Sequence, residues 1–249
     1  MKRLLYSVFF FLMGLTGILF FISEKDNSLT QINILYFNDT DLNSNYFRHK
    51  QNYIFKNYSA ENSVLFFPDA HRKLKIGLME KNKPVNMVYE KNPVLNYMDF
   101  SGTVEIKTDS NFKINSRAIQ KQNLIFYMIE IIADEKRPET VSKKSYKELL
   151  INSVKESIYS DNVQYDFLIV AGNVSFEMVG NICRSIPEIG LFIWRNKEYE
   201  LHKEKKIWYG ISVVNSGIDN QYIGITKLFF NKFDKSLSVM NTFLEEIEL

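Results

Sequence analysis

The chain has 249 residues, 45% of them hydrophobic and 24% charged, enough for one large domain with a substantial core. Its 31 Lys and Arg against 29 Asp and Glu leave a net charge of +2, without the basic excess that marks a nucleic-acid-binding surface. The single cysteine, Cys183, excludes a disulfide framework and a cysteine metal cluster.

Lys2 and Arg3 precede an uncharged run over residues 4–22, and the first acid is Glu24. At 19 residues the run exceeds the ~7–15 of a cleavable signal's core and just meets the ~18 needed to span a bilayer. No small-x-small site ends it cleanly, so residues 1–23 read as a membrane anchor ahead of a cleaved signal peptide. With either, the basic flank keeps the N-terminus inside and places the body outside the cytoplasmic membrane, anchored there or exported. Residues 24–30 form a polar linker, and residues 31–249 form the domain.

Within the domain, residues 31–37 are rich in Ile, Leu, Tyr and Phe, which predicts a strand, and 63–67 predicts a second. Residues 81–93 are turn-rich, and 123–133 are apolar enough for a buried strand. Over 142–160, Tyr146, Leu149, Leu150, Val154 and Ile158 recur at helical spacing with Lys and Glu between them. Lys143, Lys144, Lys147 and Lys155 read as its solvated face. Residues 165–171 predict a central strand, 176–184 a helix with Cys183 as a core thiol, and 189–194 another strand. A mixed-charge loop spans 203–206, and strands are expected over 211–214, 222–230 and 237–243. Strand, helix and strand in alternation predict an α/β fold.

Several stretches resemble the 5′-nucleotidase-like, or calcineurin-like, metallophosphoesterases. Ile32-Asn33-Ile34-Leu35-Tyr36-Phe37-Asn38-Asp39-Thr40-Asp41 is similar to the family's opening strand and its Asn-Asp-x-His, with Asp39 on the first metal-ligand position and Asp41 in place of histidine. Val64-Leu65-Phe66-Phe67-Pro68-Asp69 resembles the second strand and its Gly-Asp, with Pro68 for glycine and the metal-bridging Asp69 kept. Leu95-Asn96-Tyr97-Met98-Asp99 looks like the helix before Gly-Asn-His-Glu, but beyond it stands only Ile106-Lys107-Thr108-Asp109-Ser110-Asn111-Phe112. Asn173, after the strand over 165–171, stands where the family delivers a metal-binding histidine. Arg195-Asn196-Lys197-Glu198 replaces Gly-His-x-His. The Gly210-to-Phe230 segment is similar to the stretch after the family's last metal ligands, and reads as strand, Gly/Asn turn, strand.

The resemblance covers nearly everything after Thr30. It implies a four-layer α/β sandwich of two mixed β-sheets flanked by helices, lacking the family's separate substrate-binding domain. Dinuclear catalysis needs two cations, held by imidazoles and bridging carboxylates, to bind phosphate and generate hydroxide. This chain has only His49, His71 and His202, and none falls on a ligand position. The family positions that remain are Asp39, Asp41, Asp69, Asn173, Asn196 and Glu198. Such an oxygen-rich set suits Mn, Mg or Ca rather than Zn; equally, these residue types populate solvated loop ends and caps. Arg195 is positioned to put a fixed positive charge in the vacated metal space, paired with Asp39 or Asp69. Trp194 and Trp208 flank it, either stacking a ligand or packing the rim. No Gly-x-Ser-x-Gly, His-Glu-x-x-His or phosphate loop is present.

The expectation is therefore a membrane-tethered or exported, degenerate phosphatase-like protein, held by residues 4–22, that binds a phosphate-containing ligand or a protein partner. The alternatives are an active phosphoesterase with an altered oxygen-rich metal site and a structural envelope protein.

Overall fold

The computed structural model describes residues 28–37, 45–66, 105–109, 112–133, 142–159, 163–195, 206–215 and 222–247. The proposed anchor, residues 4–22, lies outside them. No helix among the described residues is long and apolar enough to cross a membrane.

The centre of the molecule is built from three short apolar runs. β5 (Leu124–Ala133), β6 (Phe167–Gly172) and β7 (Ile189–Trp194) lie side by side and parallel. Every residue of β6 is buried, as expected for a strand covered on both faces. Between these strands run helices α2 (Lys143–Tyr159) and α3 (Phe176–Ser185), which pack on one face of the sheet. Ser175 caps α3, its hydroxyl accepting from the Met178 N–H. The sheet has seven strands in the order β3-β4-β5-β6-β7-β9-β8. β3 (Glu105–Asp109) and β4 (Phe112–Lys121) form an antiparallel flank on β5. On the other side, β9 (Ile211–Val214) runs parallel to β7 and β8 (Lys206–Trp208) closes the edge. The β8–β9 turn has positive φ at Tyr209 and Gly210, the signature of a tight primed hairpin turn.

The second sheet has the order β11-β10-β1-β2. β1 (Leu29–Tyr36) pairs parallel with β2 (Ser63–Phe66) and antiparallel with β10 (Tyr222–Asn231), which hairpins into β11 (Leu237–Glu246). Helix α1 (Asn45–Asn57) covers its outer face through Ile54, Tyr53 and Phe55. The inner faces of the two sheets meet in a core that includes Ile32, Ile34, Phe126, Phe167, Ile169, Leu228 and Phe230. The layers are thus helix, seven-stranded sheet, four-stranded sheet, helix: the four-layer α/β sandwich of two mixed sheets that the sequence implies.

The predicted elements at 31–37, 63–67, 123–133, 142–160, 165–171, 176–184, 189–194, 211–214, 222–230 and 237–243 all appear, with ends shifted by a few residues. Among the described residues α1, β3, β4, β8 and the short 3-10 turn Ala60–Asn62 do not come out of the sequence reading. The expected loop at 203–206 gives way at Lys206 to β8, and Leu149 faces solvent while Ile151 is buried. The predicted strand pair on either side of the Gly/Asn segment is not a hairpin, because β9 lies in the seven-stranded sheet and β10 in the other.

Candidate functional site

Parallel strands bring their carboxyl ends to one end of a sheet, and four side chains converge there. Glu130, near the end of β5, lies on the face turned toward the second sheet, two residues beyond core residue Met128. Arg195 follows β7 directly, its backbone N–H donating to the Gly172 carbonyl at 2.9 Å. Its guanidinium Nη1 stands 3.2 Å from Glu130 Oε1; the Arg195 side chain is buried at 6% exposure and that of Glu130 partly buried at 14%. The guanidinium also sits over the Phe66 ring at the end of β2, 5.7 Å from its centre, a cation–π contact linking the two sheets. Asn115 of β4, directly opposite Glu130 in the ladder, donates its amide to Glu130 Oε2 at 3.1 Å. Glu130 is thereby gripped by a guanidinium through one oxygen and an amide through the other. A carboxylate so held is fixed in place, with both oxygens turned to protein groups.

Asn173 occupies the same end but does different work. Its Oδ1 accepts from the Ala133 N–H at 2.8 Å and its Nδ2 donates to the Ala133 carbonyl at 3.0 Å. The last backbone pair between β5 and β6 is Ile131 with Gly172. The Asn173 amide therefore acts as a surrogate peptide group, tying the β5 end to the β6 end just past that pair. An imidazole could not make both bonds, since in any one tautomer it offers one donor and one acceptor on opposite sides of the ring.

The other expected site residues divide. Trp194 and Arg195 are neighbours in sequence and face opposite ways. Trp194 is buried on the helix side, where its indole N–H donates to the Val174 carbonyl at 2.8 Å. Trp208 joins it there through Phe176, whose ring centre is 5.3 Å from that of Trp194 and 4.2 Å from that of Trp208. Trp208 also rests on Gly180 of α3. The two tryptophans thus form one aromatic cluster under α3, and the structure does not bring them into a common cleft with Arg195. Asp39, Asp41, Asp69, Asn196 and Glu198 lie outside the described residues, as do His71 and His202. His49 is exposed on α1. Cys183 is enclosed on the buried face of α3, and burial pushes its thiol up to about 12, as an inert core residue requires.

Among the described residues no group of three or more His, Cys, Asp or Glu side chains is placed to hold a metal ion. Among the described residues at this end, the carboxylate of Glu130 has the Arg195 guanidinium as its cation.

Sequence reasoning misses Glu130 and Asn115. A signal for Glu130 exists: it is the lone acid in the ten-residue apolar run of β5, and a charge inside a buried strand requires a partner.

No protein-family model matches the chain, and no curated protein matches it. Among solved structures, a candidate 5′-nucleotidase from Staphylococcus aureus in complex with alpha-ketoglutarate superposes with a TM-score of 0.49 at 13% identity, over 87% of this chain and 54% of that one. This chain thus spans about half the length of that protein. A calcineurin-like phosphoesterase from Bacillus subtilis matches with a TM-score of 0.45 at 16% identity, covering 88% of this chain and 91% of the other. A novel phosphatase from Mycoplasma pneumoniae gives 0.44 at 7% identity, over 88% and 94%. The chain is similar to structures of the 5′-nucleotidase and calcineurin-like phosphoesterase kind.

Proposed function

We propose that this is a membrane-tethered protein of metallophosphoesterase-like fold that has given up dinuclear-metal catalysis and acts by binding. The supporting observation is the Arg195–Glu130 pair, with its guanidinium buried, at the carboxyl ends of β5 and β7. A two-metal site works by concentrating positive charge that is free to coordinate phosphate and water. Here a guanidinium contributes the positive charge, and a guanidinium neither coordinates water nor lowers its pKa toward neutrality. It binds oxyanions as a planar donor, so a phosphate-containing or carboxylate-bearing ligand is the chemistry this end would accept. The tether is residues 4–22, with the domain outside the cytoplasmic membrane.

The test is metal analysis of the full chain purified in detergent without chelator, together with hydrolysis assays on a model phosphodiester and on nucleotides. The expected result is no metal near stoichiometry and no turnover with added Mn²⁺, Mg²⁺ or Ca²⁺. Near-stoichiometric metal, with turnover that disappears in Asp39→Ala and Asp69→Ala, would overturn the proposal and make the chain a hydrolase with an oxygen-rich site.

A further inference from the structure

The end of the molecule opposite the Arg195–Glu130 pair carries an unusual surface. The two sheets are aligned so that their amino ends coincide. Phe230, at the end of β10, packs edge-on against Phe126 and Phe167, near the starts of β5 and β6. Lys235 of the β10–β11 hairpin pairs with Asp166, just before β6, at 3.2 Å. The exposed large aromatics among the described residues are Tyr159, Tyr209 and Phe233, and all three lie at this end. Tyr159 ends α2, Tyr209 is in the β8–β9 turn and Phe233 is in the β10–β11 turn.

Phe233 is the extreme case, 88% exposed, against 57% for each tyrosine. It is not a loosely held residue. The Phe233 N–H donates to Asn231 Oδ1 at 2.8 Å, Lys235 N–H donates to the Asn231 carbonyl, and Ser236 donates to Asp234 from both its N–H and its hydroxyl. A well-bonded polar turn thus holds a bare phenyl ring out into solvent, with Lys232 exposed beside it. Tyr209 is flanked in the same way by Arg184, whose guanidinium lies 4.9 Å from its ring centre.

The chain enters the domain at this same end. The Ser28 carbonyl accepts from the Lys232 N–H at 2.9 Å, and Leu29 pairs with Asn231. The apolar run stops at Ile22, so only residues 23–27 separate it from Ser28. Six fully extended Cα steps reach ~20 Å at most. A domain of this length has a diameter of roughly 40 Å, so the linker cannot pass round to the opposite end.

We infer that the amino-end face, with Phe233 at its tip and Tyr159 and Tyr209 beside it, rests on the lipid bilayer surface, and that the Arg195–Glu130 end points away from the membrane. Aromatic rings settle at the headgroup level because one side is apolar and the other tolerates water, and nearby Lys and Arg favour anionic lipid. The inference rests on the membrane tether proposed above and adds an orientation to it.

The test uses the full chain reconstituted into vesicles of mixed zwitterionic and anionic phospholipid. An environment-sensitive fluorophore is attached at Phe233→Cys or, as the opposite-end control, at Lys144→Cys on the exposed first turn of α2. The buried Cys183 stays unlabelled. Nitroxide lipids are expected to quench the label at position 233 several-fold more than the label at 144. Retention of the chain by the vesicles with equal quenching at the two positions, or stronger quenching at 144, would overturn the orientation and leave the tether standing. Release of the chain by an alkaline carbonate wash would overturn the tether, and the orientation with it.

Discussion

At the residue scale the pair formed by Arg195 and Glu130 carries the largest local stake. The guanidinium is buried and the carboxylate largely so, at 6% and 14% exposure, so removing one leaves the other poorly compensated. Arg195→Ala is expected to cost about 3–5 kcal/mol of unfolding free energy, measured by urea denaturation. Replacing both together, Arg195→Met with Glu130→Leu, removes the desolvation burden along with the attraction. The double variant is therefore expected to recover most of that loss, so the two single effects will not add. If Arg195→Ala unfolded at the same urea concentration as the parent, the pair would be a solvated contact and its proposed place in the function would fall. Asn173 teaches the complementary lesson. A side chain that the resemblance assigns to a ligand position here holds two strand ends together, which no motif comparison reveals.

At the element scale the close approach of β1 to β10 is set by one missing side chain. A methyl group added at Gly224 would collide with the Tyr36 ring, and Tyr36 is fully buried between the sheets, where burial keeps its phenol protonated. The ring has nowhere to move, so Gly224→Ala is expected to sit at the top of the ~1–3 kcal/mol range for overpacking. Adding Tyr36→Leu should restore part of it, with thermal melts reporting both. How much of the fold was legible also differs by element. β5, β6, β7 and α2 announce themselves through apolar runs and helical spacing. β4 does not, because its face toward the second sheet carries Lys113, Asn115, Arg117 and Lys121 with Ile119 as its one apolar residue, so it reads as polar loop. Its strand form comes from pairing with β5 at all ten of its residues. α1 shows weak periodicity, and β8 has only three residues. The site was less legible than the fold. Family positions directed attention to Asp39, Asp69 and the tryptophans, whereas Glu130 earns notice only as an acid in an apolar strand, and Asn115 only from its register opposite Glu130.

At the scale of the whole molecule, one ladder governs assembly. β1 pairs with β10 over all eight of its residues, from Leu29 with Asn231 to Tyr36 with Gly224, joining segments nearly two hundred residues apart in sequence. Its other partner, β2, is reached over only four residues. Non-local pairing of this kind slows folding, because the closure entropy of a long loop must be met before any contact forms. Refolding from urea is expected to show the seven-stranded sheet gaining structure before the four-stranded one. Hydrogen exchange pulses would then protect Ile169 and Phe192 ahead of Ile34 and Leu228, and the reverse order would mean that β1 and β10 nucleate folding. In the tethered protein proposed above, the same ladder would set a timetable. β1 is made first and cannot complete its sheet until β10 arrives, nearly two hundred residues later. During that interval the β10-facing edge of β1 is open, and under the proposed export this is when a chaperone outside the membrane would be needed most.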